Sequence, residues 1–252
     1  MSLMISVCVA TYNGEKYIRE QLVSIIAQLG PNDEVIVSDD GSVDCTLDII
    51  SGIGDSRIRV LHHDKLVRFP HTFDYTTHNV ENALYHAKGD FIFLADQDDV
   101  WLPGKVNVMS SALRDHLLVL SDCKVTDASL RIMHESYFEL NDSRPGVLRN
   151  LIRNSFLGSC MAFRRELLDS ALPFPAHTVP HDIWLGLLAC LRGKVAFVNQ
   201  PLLFYRRHEA TVSSSCRQSS FSLMFKVKYR LLCFWALLKR HWGISSFFNP
   251  VS

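Results

Sequence analysis

The sequence predicts an α/β fold with a mostly parallel central sheet flanked by helices and a C-terminal amphipathic helical extension. Three observations predict it. Short β-branched runs alternate with helical periodicities through the first half; those runs end in polar loops; and the last forty residues carry an apolar stripe at helical spacing with cations but no acids. A length of 252 residues, 48% hydrophobic and 21% charged, suits one compact domain with a small appendage.

Strands are expected over Ile5 to Ala10, Glu34 to Ser38, Ile58 to His62 and Phe91 to Ala95. Between them Ile18, Leu22, Ile25, Ile26 and Leu29 repeat at helical spacing, and Asp44 to Ile53 and Val80 to Ala87 read as further helices. The second half is less regular. Leu117 to Val125 and Ser159 to Phe163 read as strands, Ile183 to Leu191 as a helix after Pro180, and Lys194 to Asn199 with Leu202 to Arg206 as a closing strand pair. A serine-rich link, Ser213 to Ser220, precedes a last helix on which Met224, Val227, Leu231, Trp235, Leu238 and Trp242 share a stripe. The chain divides at 1–215, with a regular half near 1–101 and a less regular half near 102–215, and a basic helical tail at 216–252.

Three strands end in Thr11-Tyr12-Asn13-Gly14, Asp39-Asp40-Gly41-Ser42 and Asp96-Gln97-Asp98-Asp99. Ligands of open α/β sheets sit outside the carboxyl ends of the strands, so these loops should converge on one crevice. Three carboxylates within four positions repel unless a cation is present, and hard oxygen ligands suit Mg²⁺ or Mn²⁺ with positions left for a diphosphate. The same cluster also reads as an acidic N-capping loop before Leu102-Pro103. Asp39-Asp40 can accept hydrogen bonds from a pyrimidine or from ribose hydroxyls, although an Asp-Gly step is also a common turn. No Gly-x-Gly-x-x-Gly follows the first strand and no P-loop occurs, which argues against a dinucleotide dehydrogenase or a P-loop NTPase.

Val9-Ala10-Thr11-Tyr12-Asn13-Gly14, Ser38-Asp39-Asp40-Gly41-Ser42 and Ala95-Asp96-Gln97-Asp98-Asp99-Val100-Trp101-Leu102-Pro103 together resemble the successive motifs of glycosyltransferase family 2, over about residues 4 to 215. The resemblance implies a GT-A (nucleotide-diphospho-sugar transferase) fold and an inverting, metal-dependent transferase. Its variant motif is similar to that of rhamnosyl- or galactosyltransferases of bacterial O-antigen and surface-polysaccharide assembly. The implied donor is a UDP- or dTDP-hexose and the implied acceptor a polyprenyl-diphosphate-linked saccharide, with no nucleic acid among the partners. A Gln-x-x-Arg-Trp motif of processive synthases is lacking, which favours single-sugar addition.

By that resemblance Thr11, Tyr12, Asn13, Glu15, Asp39, Asp40, Asp96 and Gln97 bind the nucleotide, with Asp40 on the pyrimidine and Asp96 at the ribose. Asp98 and His208 hold Mn²⁺ or Mg²⁺. Asp182, in Val179-Pro180-His181-Asp182-Ile183-Trp184, is the base, and alone it also reads as a helix cap. Asp99, Trp101, Gly158, Ser159, His181, Trp184, Arg206 and Arg207 line the donor and acceptor pocket, Trp184 against the acceptor sugar. Arg206, Arg207 and His208 also read as a solvated basic turn. The His62 to His78 loop, with Lys65, Arg68, Phe69 and His71, is expected to help select the sugar.

Net charge is zero, yet all 26 acids and 20 of the 26 cations precede Ala210, leaving that part at −6 and the rest at +6. A basic amphipathic helix suits an anionic membrane surface, and equally a helix packed back on the domain or a homodimer contact. The start of the chain has no signal-peptide pattern, no long apolar span occurs, and seven scattered cysteines lack a Cys-x-x-Cys pair. Together these predict reduced thiols and a protein peripheral to the inner face of the cytoplasmic membrane. Two rival classes remain: a nucleotidyltransferase of similar fold, expected to carry a glycine-rich cationic loop where Thr11-Tyr12-Asn13-Gly14-Glu15 stands, and a non-catalytic nucleotide-binding protein.

Overall fold

The computed structural model describes residues 3–63, 69, 71–175, 179–208 and 223–242. Lys65, Arg68, the serine-rich link, Cys216 and Arg217 lie outside the described residues, as do the side chains of Lys226, Val227 and Trp242. Among the described residues nine strands form one sheet: β1 (Ile5–Thr11), β2 (Glu34–Asp39), β3 (Ile58–His62), β4 (Phe91–Asp96), β5 (Val100–Trp101), β6 (Leu118–Thr126), β7 (Ile132–His134), β8 (Met161–Arg164) and β9 (Val195–Arg206). The helices are α1 (Ile18–Ile26), α2 (Thr46–Ser51), α3 (Thr72–His86), α4 (Lys105–Ala112), α5 (Tyr137–Asn141), α6 (Val147–Ile152), α7 (Leu168–Ala171), α8 (His181–Leu191) and α9 (Leu223–Trp242).

The strand order is β3-β2-β1-β4-β8-β6-β9-β5, with β7 beside β6. Parallel pairing joins β3, β2, β1 and β4, as the alternation of strand and helix predicts. The second half is mixed, because β8 runs antiparallel to both β4 and β6 while β9 runs parallel to β6. Chain order reverses between β2–β1 and β1–β4, so the crevice opens at the carboxyl ends of these central strands. Register brings the loops level there: Thr11 pairs with Asp39, and Ala10 with Asp96.

Buried Val7, Val9, Val35, Val37, Ile92 and Phe93 make the sheet core, covered by Ile18, Leu22 and Ile25 of α1 and by Val80, Ala83 and Leu84 of α3. Each such aliphatic side chain contributes about 1.5–3 kcal/mol by leaving water. Helix α3 starts at Thr72, eight residues before the expected Val80, because its first buried positions are polar: Asp74, Thr77 and Asn79 hide the apolar period. The expected closing strand pair is instead one strand, β9. Its register against β6 jumps from Ser121↔Val198 to Asp122↔Pro201, and the irregularity accommodates the proline. The described cysteines are free thiols, in keeping with the absence of paired spacing.

Candidate active site

The three strand-end loops are joined to one another before any ligand is considered. Thr11 Oγ1 and the Tyr12 amide both donate to Gln97 Oε1, at 2.6 and 2.9 Å, and Gln97 Nε2 donates back to the Tyr12 carbonyl at 3.1 Å. Asn13 adopts a left-handed φ of 49°, which an Asn tolerates, and its amide donates to Ser42 Oγ while its Oδ1 accepts from the Val43 amide. Glu15 Oε2 accepts from the Cys45 amide. Gln97, Asn13 and Glu15 were expected on the nucleotide; their polar atoms join the loops that shape its crevice. Asp39 is a clearer correction. It is buried, and it accepts from the Gly41 and Ser42 amides and from Ser42 Oγ, so it folds the Asp39-Asp40-Gly41-Ser42 turn rather than meeting a base. Asp40, next along, sits at the crevice wall with Oδ1 2.9 Å from His63 Nδ1. Tyr12 keeps an exposed ring beside it.

On the other side of β1, Asp98 Oδ2 lies 2.7 Å from His208 Nε2, and both side chains are largely shielded. His208 also lies against Tyr17, with ring centres 4.9 Å apart. Asp96 is pushed up to about 7 by burial and by the neighbouring charges of Asp98 and Asp182. Asp182, at the start of α8, is thus brought to the acidic loop from more than eighty residues away. Burial raises its pKa, opposed by His181, by the Ile183 amide, which donates to Oδ1 at 2.7 Å, and by Asn154. His181 is held close by Gly158: a Cβ on that glycine would stand 2.9 Å from His181 Nε2 and would displace the ring.

Several expected pocket residues lie beneath the site. Trp184 is buried in the core and donates from Nε1 to the Ala171 carbonyl at 2.9 Å, so its ring cannot stack on an acceptor sugar. Trp101 is buried against Phe93, with the Lys105 ammonium 5.3 Å from its ring centre. Asp99 and Ser159 are fully buried; Asp99 Oδ1 accepts from the Arg206 amide, and Lys105 donates to the Ser159 carbonyl. Burial, then the charges of Asp98 and Asp96, raise Asp99 well above the usual carboxylate range.

Arg206 is not a solvated cation offered to a diphosphate. It is buried, donates from Nε to the Asp98 carbonyl at 2.8 Å and from a terminal nitrogen to the Ala128 carbonyl at 3.0 Å, pairs with Glu20, and lies 4.5 Å from the Tyr17 ring centre. Its fork therefore fixes the backbone that carries Asp98, a geometry lysine cannot reproduce. Arg206→Ala should cost about 3 kcal/mol, as expected for a buried charge network that loses one member, and lower Tm by about 6–12 °C. An unchanged thermal unfolding curve would contradict that role. Arg207 donates from its guanidinium to the Tyr205 hydroxyl at 3.2 Å.

Sequence reasoning missed Tyr17, Glu20, Gln21, His63, Lys105 and Asn154. Tyr17, Glu20 and Gln21 share one turn at the start of α1, where Gln21 Nε2 donates to the Asp96 carbonyl at 2.7 Å. With Ser24 they make a polar side of α1 away from the Ile18, Leu22 and Ile25 stripe, and that side was the available signal. His63 directly follows β3, in the position that Asp40 holds after β2, and the strand-end rule applied once more would have found it.

The Asp98–His208 pair fits a divalent cation. One carboxylate oxygen and one imidazole nitrogen a hydrogen-bond length apart can exchange their shared proton for a metal, and further positions can go to phosphate oxygens and water. Among the described residues no group of three or more His, Cys, Asp or Glu converges as a complete metal cage.

The profile of the family described as Glycosyl transferase family 2 matches residues 6–172. An uncharacterised protein of Mycobacterium tuberculosis is 27% identical over 220 residues, covering 81% of this chain and 58% of that protein. The chain thus spans little more than half the length of that mycobacterial relative. The Escherichia coli UDP-Glc:alpha-D-GlcNAc-diphosphoundecaprenol beta-1,3-glucosyltransferase WfgD is 23% identical over 225 residues, 84% of this chain and 80% of WfgD. Among solved structures, the Staphylococcus aureus TarS fragment in complex with UDP-GlcNAc superposes with a TM-score of 0.64 at 22% identity, covering 96% of this chain and 74% of that one. Glucosyl-3-phosphoglycerate synthase of M. tuberculosis, in complex with Mn²⁺, UDP and glucosyl-3-phosphoglycerate, gives a TM-score of 0.57 at 23% identity, covering 98% and 82%. These likenesses show the fold.

Proposed function

The chain belongs to glycosyltransferase family 2 and has the GT-A fold, and from that premise we propose that it is an inverting, non-processive, metal-dependent hexosyltransferase. The donor is a UDP- or dTDP-hexose, galactose or rhamnose by the motif variant. The acceptor is a hydroxyl of a polyprenyl-diphosphate-linked saccharide in O-antigen or surface-polysaccharide synthesis, met at the inner face of the cytoplasmic membrane. The observation that carries this reading is the convergence of Asp98 with His208, and of Asp182 with Asp96, at the carboxyl ends of β1 and β4. WfgD supports the acceptor class, because its name specifies a UDP-sugar donor and a diphosphoundecaprenol acceptor.

Tyr12 and Asp40 would take the base, with His63 fixing the Asp40 carboxylate, and Asp98 and His208 would hold Mn²⁺ or Mg²⁺. When bound, the cation neutralises charge on the departing diphosphate. Asp182 accepts the proton of the acceptor hydroxyl as its oxygen attacks the anomeric carbon; the bond from that carbon to the diphosphate breaks, and the nucleoside diphosphate leaves with its electron pair. A base whose pKa burial has raised above that of an ordinary carboxylate suits this task better than a solvated one. The 1–215 catalytic unit and 216–252 tail remain the proposed division.

A panel of UDP, dTDP, GDP and CMP with and without Mn²⁺ tests the donor site. Unfolding followed by heat should show manganese-dependent stabilisation by UDP or dTDP, about 2.7 kcal/mol at a hundredfold excess over Kd. A response to GDP alone would end the pyrimidine assignment. Silence from every nucleotide would favour the non-catalytic binding protein.

A further inference from the structure

Helix α9 is apolar on two sides. Its inner side packs on the domain through buried Cys233 and Leu237 and partly buried Tyr229 and Ala236. Arg230 donates to the Ile152 carbonyl at 2.6 Å and Arg240 to the Leu172 carbonyl at 2.9 Å, which fastens the helix at two points ten residues apart. The packed-back arrangement is therefore real. Yet three members of the expected stripe, Met224, Leu231 and Trp235, point outward, 82%, 63% and 54% exposed, and with exposed Lys228 they recur at i, i+4, i+7 and i+11. Beside them, on the α6 helix that Arg230 grips, Leu148 and Ile152 one turn apart are 75% and 70% exposed. Five large apolar side chains left in water across two adjoining helices form a patch that monomers rarely show without a purpose.

We propose that this joint α6–α9 face is where the protein lies on an anionic lipid surface. The patch carries Lys228 and Lys239, in a segment with no acid after Glu209, and Lys239 sits 5.6 Å from the Trp235 ring centre, a cation and an aromatic paired at an interface. Asp142, beside α6, is already engaged by Arg144 and Arg149 at 2.8 and 3.2 Å. A second copy of the chain fits the face less well, since a two-fold interface would set these cations against their own copies. Among the described residues no helix is long and apolar enough to cross a membrane, so the contact is one of lying on the surface. Orientation gives the contact a use. Arg240 of α9 lies 5.6 Å from the ring centre of Trp184 in α8, the helix whose first turn carries Asp182, so the docked helix lies on the base side of the molecule. The inference deepens the lipid-linked acceptor reading and rests on it for its meaning, but it is tested without donor or acceptor.

The test is sedimentation of the whole protein with vesicles of phosphatidylcholine, alone or equimolar with phosphatidylglycerol. Wild type should bind the anionic vesicles and not the neutral ones. Leu231→Glu/Trp235→Glu and Leu148→Glu/Ile152→Glu should each weaken binding by about tenfold or more, with Tm unchanged because all four side chains are exposed. Binding that survives the α6 pair overturns the joint face. So does a wild type that ignores anionic vesicles, or one that forms dimers which these substitutions dissociate. Vesicle binding as expected with no transfer to any lipid-linked acceptor would leave this face standing and remove the acceptor assignment instead.

Discussion

Asp98→Ala is expected to abolish manganese-dependent binding of the nucleoside diphosphate and to lower kcat/KM about a thousandfold, the equivalent of roughly 4 kcal/mol of lost charge stabilisation. The size follows from the position of the carboxylate. Asp98 stands between Asp96 and buried Asp99 on a loop whose backbone Arg206 and Gln21 hold from two sides, and its Oδ2 faces His208 at 2.7 Å. Removing it takes away one of the two proposed metal donors while leaving the scaffold intact, since the loop is anchored by the Asp98 carbonyl and by Asp99 and not by the Asp98 carboxylate. Its removal also lessens the charge pressing on Asp96. The variant should therefore fold as well as the wild type and lose the metal response, an outcome that calorimetry of UDP with and without Mn²⁺ separates from misfolding. Retained metal-dependent nucleotide binding would show that the cation sits elsewhere.

The part of this site that could be read from sequence is the part written in consecutive residues. Thr11 to Gly14, Asp39 to Ser42 and Asp96 to Asp99 were legible because buried strands running into polar loops mark a ligand crevice in a parallel sheet. The fold of the first half was legible for the same reason. What could not be read is who partners whom across the chain. Arg206 and Asp98 are 108 positions apart and Gln97 and Thr11 are 86 apart, so nothing local distinguished an arginine that clamps a loop from one offered to phosphate. Trp184 and Trp101 carry rings that suit a sugar as well as a core, and only packing decides between them. The apolar stripe of α9 shows the opposite failure. Its periodicity was plain, but a single stripe could not say which side of the helix meets the domain, and the side that does, through Cys233 and Leu237, is a second apolar side.

Asp182→Asn should bind nucleotide and metal nearly as the wild type does, yet transfer sugar about a thousandfold more slowly, within the range that a positioned base contributes. The amide keeps the size of the side chain and its acceptance of the Ile183 amide proton, so the start of α8 is preserved and only the capacity to take a proton is lost. The pH profile makes the prediction sharper. Burial raises the Asp182 pKa above the ordinary carboxylate value, against the opposing pull of His181, the Ile183 amide and Asn154. Transfer needs the ionised form. The acid limb of the wild-type rate should accordingly lie above the usual carboxylate range, rising as pH increases through the raised value, and the residual rate of Asp182→Asn should lack that limb. The linked stability has the same cause and the opposite sense: a carboxyl harder to ionise when folded favours the native state least once pH exceeds that value, so Asp182→Asn should be relatively more stable at high pH than at low. Loss of nucleotide binding in this variant would assign Asp182 to the donor, and an unaltered rate would remove it from the chemistry.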